Sequence, residues 1–239
     1  MNITQKKIYY HSGKTRLCGV LVYDADSQLS RPGIVLAPNA MGITESNIDQ
    51  AIRVAREGYI VVVADMYGFL PDSAEQAFAE MNALKDSDEE RKRMQAALQA
   101  LAAEPLADSI RLGAIGFCYG GHCVLELARS GAPLRVTACV HGTLDTLRPA
   151  GRGDIKGDIL ILNGADDPFI PPGQIAQFGH EMASAGAGFQ LVSYAGAVHS
   201  FTYPRADVPG KTEYNEAVCN RAFRTMFSVL NEALVCAEQ

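Results

Sequence analysis

Arg111-Leu-Gly-Ala-Ile-Gly-Phe-Cys-Tyr-Gly-Gly121 is the stretch on which the fold turns. An apolar run, Arg111 to Gly116, enters it, and a helix-forming run, Gly120 to Ser130, leaves it. Between them Gly116-Phe-Cys-Tyr-Gly120 has the spacing G-x-S-x-G, with Cys118 in place of serine. Glycines two residues either side of a central nucleophile let a sharp strand-to-helix turn bring backbone together with no Cβ in the way. Such a turn lifts the central side chain out of the sheet. The helix behind it aims free N–H groups and the positive end of its dipole at the sulfur, which favours thiolate over thiol. Most free cysteines are small buried hydrophobes. The turn sets Cys118 apart from Cys18, Cys123, Cys139, Cys219 and Cys236, which have none.

Outward from this turn the chain alternates between two rhythms. Gly33 to Ala37, Ile60 to Asp65, Arg111 to Gly116, Val136 to Val140, Ile159 to Asn163 and Phe189 to Tyr194 are short apolar runs suited to strands buried on both faces. Glu45 to Glu57, Ser87 to Ala103, Gly120 to Ser130, Gly173 to Ala185 and Lys211 to Ala237 carry helical spacing. Lys6 to His11 and Arg16 to Tyr23 flank Ser12-Gly13 and read as an antiparallel hairpin at the sheet edge. The alternation predicts an α/β chain, a mostly parallel doubly wound sheet with an N-terminal antiparallel hairpin, and the turn at Cys118 adds the expectation of the α/β-hydrolase fold. In such a sheet the loops at the carboxyl ends of the strands gather on one rim, where ligands bind.

With 239 residues and no Pro-, Gly- or Ser-rich linker, a single domain over 1–239 is expected. A formal charge of −6 without a basic run disfavours nucleic acid as a partner. The polar Met1 to Tyr10 lacks the apolar core of a secretory signal, and no run reaches the roughly 18 to 20 apolar residues of a membrane span. Six scattered cysteines without a CxxC pair fit reduced thiols in a cytoplasmic compartment, and no metal or other cofactor is expected.

The chain order nucleophile, acid, histidine confines the search for partners to residues after 118. The loop Gly164-Ala-Asp-Asp-Pro168 follows one strand and supplies the acid. Asp167 precedes a proline, which biases it to an extended conformation able to reach across the rim, whereas Asp166 suits a turn cap. His199, on Gly196-Ala-Val-His-Ser-Phe201 before the last helix, is the expected base. His122 and His141 are candidates to line the pocket, and His11 and His180 fall on an early strand and a surface helix. Two backbone N–H groups, of Tyr119 and of Ala40, are expected to form an oxyanion hole.

These pieces, Gly116-Phe-Cys-Tyr-Gly-Gly121, Gly164-Ala-Asp-Asp-Pro168, Gly196-Ala-Val-His-Ser-Phe201 and Ala37-Pro-Asn-Ala-Met-Gly42, resemble the dienelactone hydrolase family nearly end to end. That family comprises cysteine α/β-hydrolases that open enol-lactones through a thiol ester. The resemblance implies Cys118 as attacking thiolate, His199 as proton carrier, Asp167 as the group orienting it, and Ala40 and Tyr119 at the oxyanion. The family's best-known members place a glutamate on the first loop against the resting cysteine, where this chain has Asn39, which accepts no proton. They also hold a substrate carboxylate with arginines, for which Arg91 and Arg205 are loose matches. Asn39, Met41 and Phe201 are further candidates to meet the substrate, with Tyr67, Phe69 and Phe169 as rim residues.

The expected activity is hydrolysis of a small ester or lactone, by a monomer or homodimer, with no membrane partner. A thioesterase or acyl transferase would use the same triad. A binding protein whose Cys118 responds to oxidants would need only the thiolate, not the acid, base and oxyanion loop.

Overall fold

A computed structural model describes residues 1–236. An eight-stranded sheet is built from β1 (Ile3–Ser12), β2 (Thr15–Asp24), β3 (Arg31–Ala37), β4 (Ile60–Val63), β5 (Ala107–Phe117), β6 (Val136–Val140), β7 (Asp158–Gly164) and β8 (Phe189–Tyr194). Its order is β1-β2-β4-β3-β5-β6-β7-β8. β1 and β2 form the expected antiparallel hairpin, β2 joins β4 antiparallel, and every pairing from β4 to β8 is parallel. This is the α/β-hydrolase fold.

The helices are α1 (Glu45–Ala55), α2 (Ala74–Leu84), α3 (Asp88–Ala102), α4 (Tyr119–Arg129), α5 (Pro172–Ala185) and α6 (Glu216–Leu234). Alternate residues of β3 sort the layers: Ile34 and Leu36 pack with α1 and α6, and Val35 and Ala37 pack with α3 and α4. That the central strands bury both faces explains why they read as unbroken apolar runs.

Two departures from the sequence reading have local causes. α2 carries no clear stripe because only Ala77 and Leu84 of it are buried, while Phe78 is half exposed; its start is fixed by Ser73, whose side chain accepts the Gln76 N–H. The helix expected over Lys211 to Ala237 begins later, at Glu216, where Asn215 caps it through the Val218 N–H, and Ala237 lies outside the described residues. The preceding residues form a two-stranded ribbon, β9 (Asp207–Val208) with β10 (Thr212–Glu213), turned at Pro209-Gly210. Among the described residues no helix is long and apolar enough to cross a membrane.

Candidate active site

At the end of β5 the backbone of Cys118 adopts φ 57° and ψ −123°, a left-handed conformation that a non-glycine residue holds at a strain of about 1–3 kcal/mol. Packing enforces it. A Cβ on Gly116 would overlap the Gly120 carbonyl, and one on Gly120 would overlap the carbonyl of Ala37 on the neighbouring strand. Both positions must therefore lack a side chain, as the spacing implies. The Cys118 N–H is held by the Val140 carbonyl at 3.1 Å and by Nδ1 of His141 at 3.2 Å. Cys118 itself stays half-buried, at the first turn of α4.

Three loops bring Cys118, His199 and Asp167 into line. His199 Nε2 stands 3.1 Å from the Cys118 sulfur, and its Nδ1 stands 2.8 Å from Asp167 Oδ2. Asp166 accepts the Gly196 N–H at 3.0 Å and so stitches the acid loop to the histidine loop. Asp167 fixes its own turn as well, through the Phe169 N–H at 2.9 Å. The β9–β10 ribbon grips His199 by its backbone: its N–H donates to the Lys211 carbonyl, and its carbonyl accepts the Glu213 N–H. This support is invisible to pattern reading, since four ribbon residues of mixed polarity carry no strand period.

The His199 ring is clamped edge-on by His141, with centroids 5.2 Å apart, and by Phe169 at 5.0 Å. Burial opposes a positive charge on His199, but hydrogen bonds to Asp167 and Cys118, with the charges on both, outweigh it and carry the pKa up to about 10. The carboxylate on one side of the ring and the sulfur on the other thus both favour its charged form. His141 is the opposite case: burial, reinforced by the facing His199, pushes its pKa well below the usual histidine value.

The loop after β3 runs against the start of α4, where a Cβ on Gly120 would meet the Pro38 carbonyl. Asn39 Oδ1 accepts the Met41 N–H at 2.9 Å, and the Tyr67 hydroxyl donates to the Ala40 carbonyl at 3.0 Å, so the loop is pinned from within and from below. The N–H groups of Ala40 and Tyr119 donate to no acceptor among the described residues. The outer candidates are dispersed. Met41 packs against the core at partial exposure, and Phe201 is fully buried behind His141, so it faces no ligand. Arg91 is committed elsewhere, with its guanidinium 2.7 Å from buried Glu126 and on the Arg148 carbonyl. Arg205 is largely exposed, 3.7 Å from Glu45, on the edge of a cavity of about 290 Å³ between α1, α6 and the residues after His199. Arg53 lines the same cavity, stacked 3.6 Å over the Phe223 ring.

A second group of titratable side chains lies below α4. His122 Nε2 is 3.5 Å from both Asp86 and Glu90, and the Cys123 thiol reaches Glu90 at 3.5 Å. His122, Glu90 and Cys123 are fully buried, and neither ring nitrogen of His122 has a hydrogen-bond partner among the described residues. One ligand atom each from Asp86, His122 and Glu126 fall within 4.8 Å of one another, a spacing open to a metal ion. Glu126, however, is already neutralised by Arg91 at 2.7 Å and Arg129 at 3.0 Å, so the set has little negative charge to spare for one.

The sequence model of the dienelactone hydrolase family matches residues 18–234. The crystal structure of a dienelactone hydrolase-like promiscuous phosphotriesterase from metagenomic libraries aligns at a TM-score of 0.89 and 34% identity, covering 98% of this chain and 99% of that one. A Caenorhabditis elegans protein described as uncharacterized is 32% identical over 148 residues, 60% of this chain and 93% of its own length. A protein of Bradyrhizobium sp., described as a probable 2-oxo-3-(5-oxofuran-2-ylidene)propanoate lactonase, is 29% identical over 71% of this chain and 73% of its own.

Proposed function

The chain belongs to the dienelactone hydrolase family, and from that premise we propose that it hydrolyses small esters or lactones through a thiol ester on Cys118. The observation that carries this reading is the unbroken line from sulfur to imidazole to carboxylate, 3.1 Å and 2.8 Å, on a strained turn at a helix start.

The Cys118 thiolate adds to the substrate carbonyl carbon, and the developing oxyanion is taken up by the Ala40 and Tyr119 N–H groups. As the carbon–oxygen bond to the leaving group breaks, the imidazolium of His199 gives that oxygen its proton. Two of the contacts that hold the His199 pKa high come from Cys118. Once the sulfur is acylated its charge is gone, so His199 becomes the better donor at the moment a proton is needed and is left neutral. It then accepts a proton from water, the hydroxide adds to the thiol ester, and collapse expels the thiolate beside a re-formed imidazolium. Asp167 holds the ring so that Nε2 faces sulfur throughout. Asn39 takes no part in proton transfer, because a carboxamide is not a base; its oxygen instead holds the loop through the Met41 N–H.

A second substrate class rests on the relative named above as a promiscuous phosphotriesterase. The same thiolate would attack phosphorus and expel an aryl oxide protonated by His199. Assaying aryl esters, lactones, thioesters and an aryl phosphotriester with wild type and Cys118→Ala tests both readings. Turnover of an ester or lactone that disappears in Cys118→Ala is the expected result. Turnover of thioesters alone would move the assignment to a thioesterase, and ester hydrolysis that persists without the thiol would overturn the mechanism.

A further inference from the structure

We infer that His141 is a positioning residue, a neutral strut that ties the Cys118 turn to the His199 loop and sets the distance between them. The inference deepens the catalytic reading above and rests on it.

His141 sits at the carboxyl end of β6 with φ 40°, an unfavourable backbone for a residue with a side chain, and only 3% of it is exposed. Glycine would relieve the backbone and a phenylalanine would fill the space, yet the position carries an imidazole with both nitrogens engaged. Nδ1 faces the Cys118 N–H, a donor, so Nδ1 must be the bare nitrogen. The proton therefore resides on Nε2, which donates to the Thr202 hydroxyl at 2.8 Å. Thr202 is itself buried and lies three residues after His199, in the tight turn closed by the Tyr203 N–H on the Ser200 carbonyl.

One ring thus spans the two loops that must meet. Its Nδ1 end shares the N–H that holds the strained turn at Cys118, and its Nε2 end holds the histidine loop. It also packs against the His199 ring, with centroids 5.2 Å apart, as Phe169 does at 5.0 Å. Burial disfavours charging the ring, and a proton on Nδ1 would set two donors against each other. The strut consequently stays neutral and leaves the positive charge to His199. The same contact explains why the Cys118 N–H, which points into the fold, is not available to an oxyanion, whereas the Tyr119 N–H is.

Four variants test this: His141→Leu, His141→Asn, Thr202→Val and Thr202→Ser. Each is assayed for kcat and KM on an aryl ester, for the rate of Cys118 alkylation by iodoacetamide between pH 6 and pH 10, and for thermal unfolding. A misplacement of about 1 Å in a reacting pair costs on the order of 100-fold in rate. His141→Leu is expected to lower kcat by about 30- to 100-fold with KM within about 3-fold, and to slow alkylation at neutral pH. His141→Asn keeps an acceptor where Nδ1 stood and is expected to regain most of that loss. Thr202→Val is expected to lose about 5- to 10-fold and Thr202→Ser to regain it. Wild-type kcat and alkylation in folded His141→Leu would overturn the inference, as would an Asn variant no better than Leu. Should His141→Leu fail to fold, the Thr202 pair decides, and equal kcat in Val and Ser overturns it. Alkylation reads the Cys118 turn without any ester. A failure of the strut is thereby distinguished from a failure of the hydrolase reading, which Cys118→Ala reports.

Discussion

Two groupings of cysteine, histidine and carboxylate flank the same helix, and they differ in almost everything but composition. Above α4, Cys118, His199 and Asp167 come from three separate loops and meet at 3.1 Å and 2.8 Å, with the thiol half-buried. Below it, Cys123 and His122 come from consecutive residues of α4 itself, and meet Glu90 only at 3.5 Å in a fully buried space. Burial, followed by the charge of Glu90, raises the Cys123 pKa well above the ordinary thiol value. In the upper group the carboxylate instead supports a charged imidazole beside the sulfur. Residue type alone therefore does not distinguish the two groups. The upper one differs by a backbone turn that presents the sulfur at partial exposure and by a histidine held in line by supports outside itself.

The sharpest way to break that contrast is to delete the two histidines in turn. His199→Ala is expected to lower kcat/KM by about 10³-fold or more, as loss of a triad member does. His122→Ala is expected to leave kcat/KM within about 5-fold, its effect falling on unfolding temperature. Comparable losses in both would erase the distinction.

Asp167→Asn comes next, with an expected loss in kcat of about 10²- to 10⁴-fold. It also carries a pH signature. His199 is charged below about 10 and neutral above it, so the acid step fails on the alkaline side. Removing one of the contacts that raise its pKa moves that limb to lower pH. A profile of kcat against pH in wild type and Asp167→Asn checks the sign, and a limb that stays in place or moves up would separate Asp167 from His199.

A third variant tests the lower region as a structural one. Glu126 is fully buried between Arg91 and Arg129. Glu126→Gln leaves Arg91 without its carboxylate, while Arg129 keeps Glu181 at 2.8 Å, and is expected to cost about 1–3 kcal/mol of stability by denaturant titration. Turnover at a temperature where the variant is folded should stay near wild type. The smallest effect is expected of Arg205→Ala, whose side chain is largely exposed: less than about 2-fold on neutral esters, by analogy with other rim charges of little energetic weight. A selective rise in KM for an anionic lactone would instead give Arg205 a carboxylate to hold.

The legibility of these regions in the sequence follows from how local their causes are. The turn at Cys118 was legible because the glycines that permit it are two residues away on either side, and the loops that bring Asp167 and His199 to it because chain order restricts where they can stand. Asp167 was separable from Asp166 through Pro168, and the structure gives each a distinct contact. The ribbon that grips His199 was not legible, because its strands are too short for a period and earn their order from pairing with each other. Nor was the commitment of Arg91 to Glu126, a partner 35 residues away on another helix. His141 read only as a pocket candidate, since its role depends on a left-handed backbone and on partners in two distant loops.

Whether Cys118 carries the acyl group is decided by trapping it. The protein is mixed with a slowly turned aryl ester, quenched in acid, and its peptides are mapped by mass spectrometry. A burst of phenol stoichiometric with protein and an acyl mass on the peptide bearing Cys118 are expected, both absent in Cys118→Ala and both present in Cys123→Ala. An acyl adduct on Cys123 or on any other residue, or hydrolysis at the wild-type rate in Cys118→Ala, would contradict a thiol ester on Cys118.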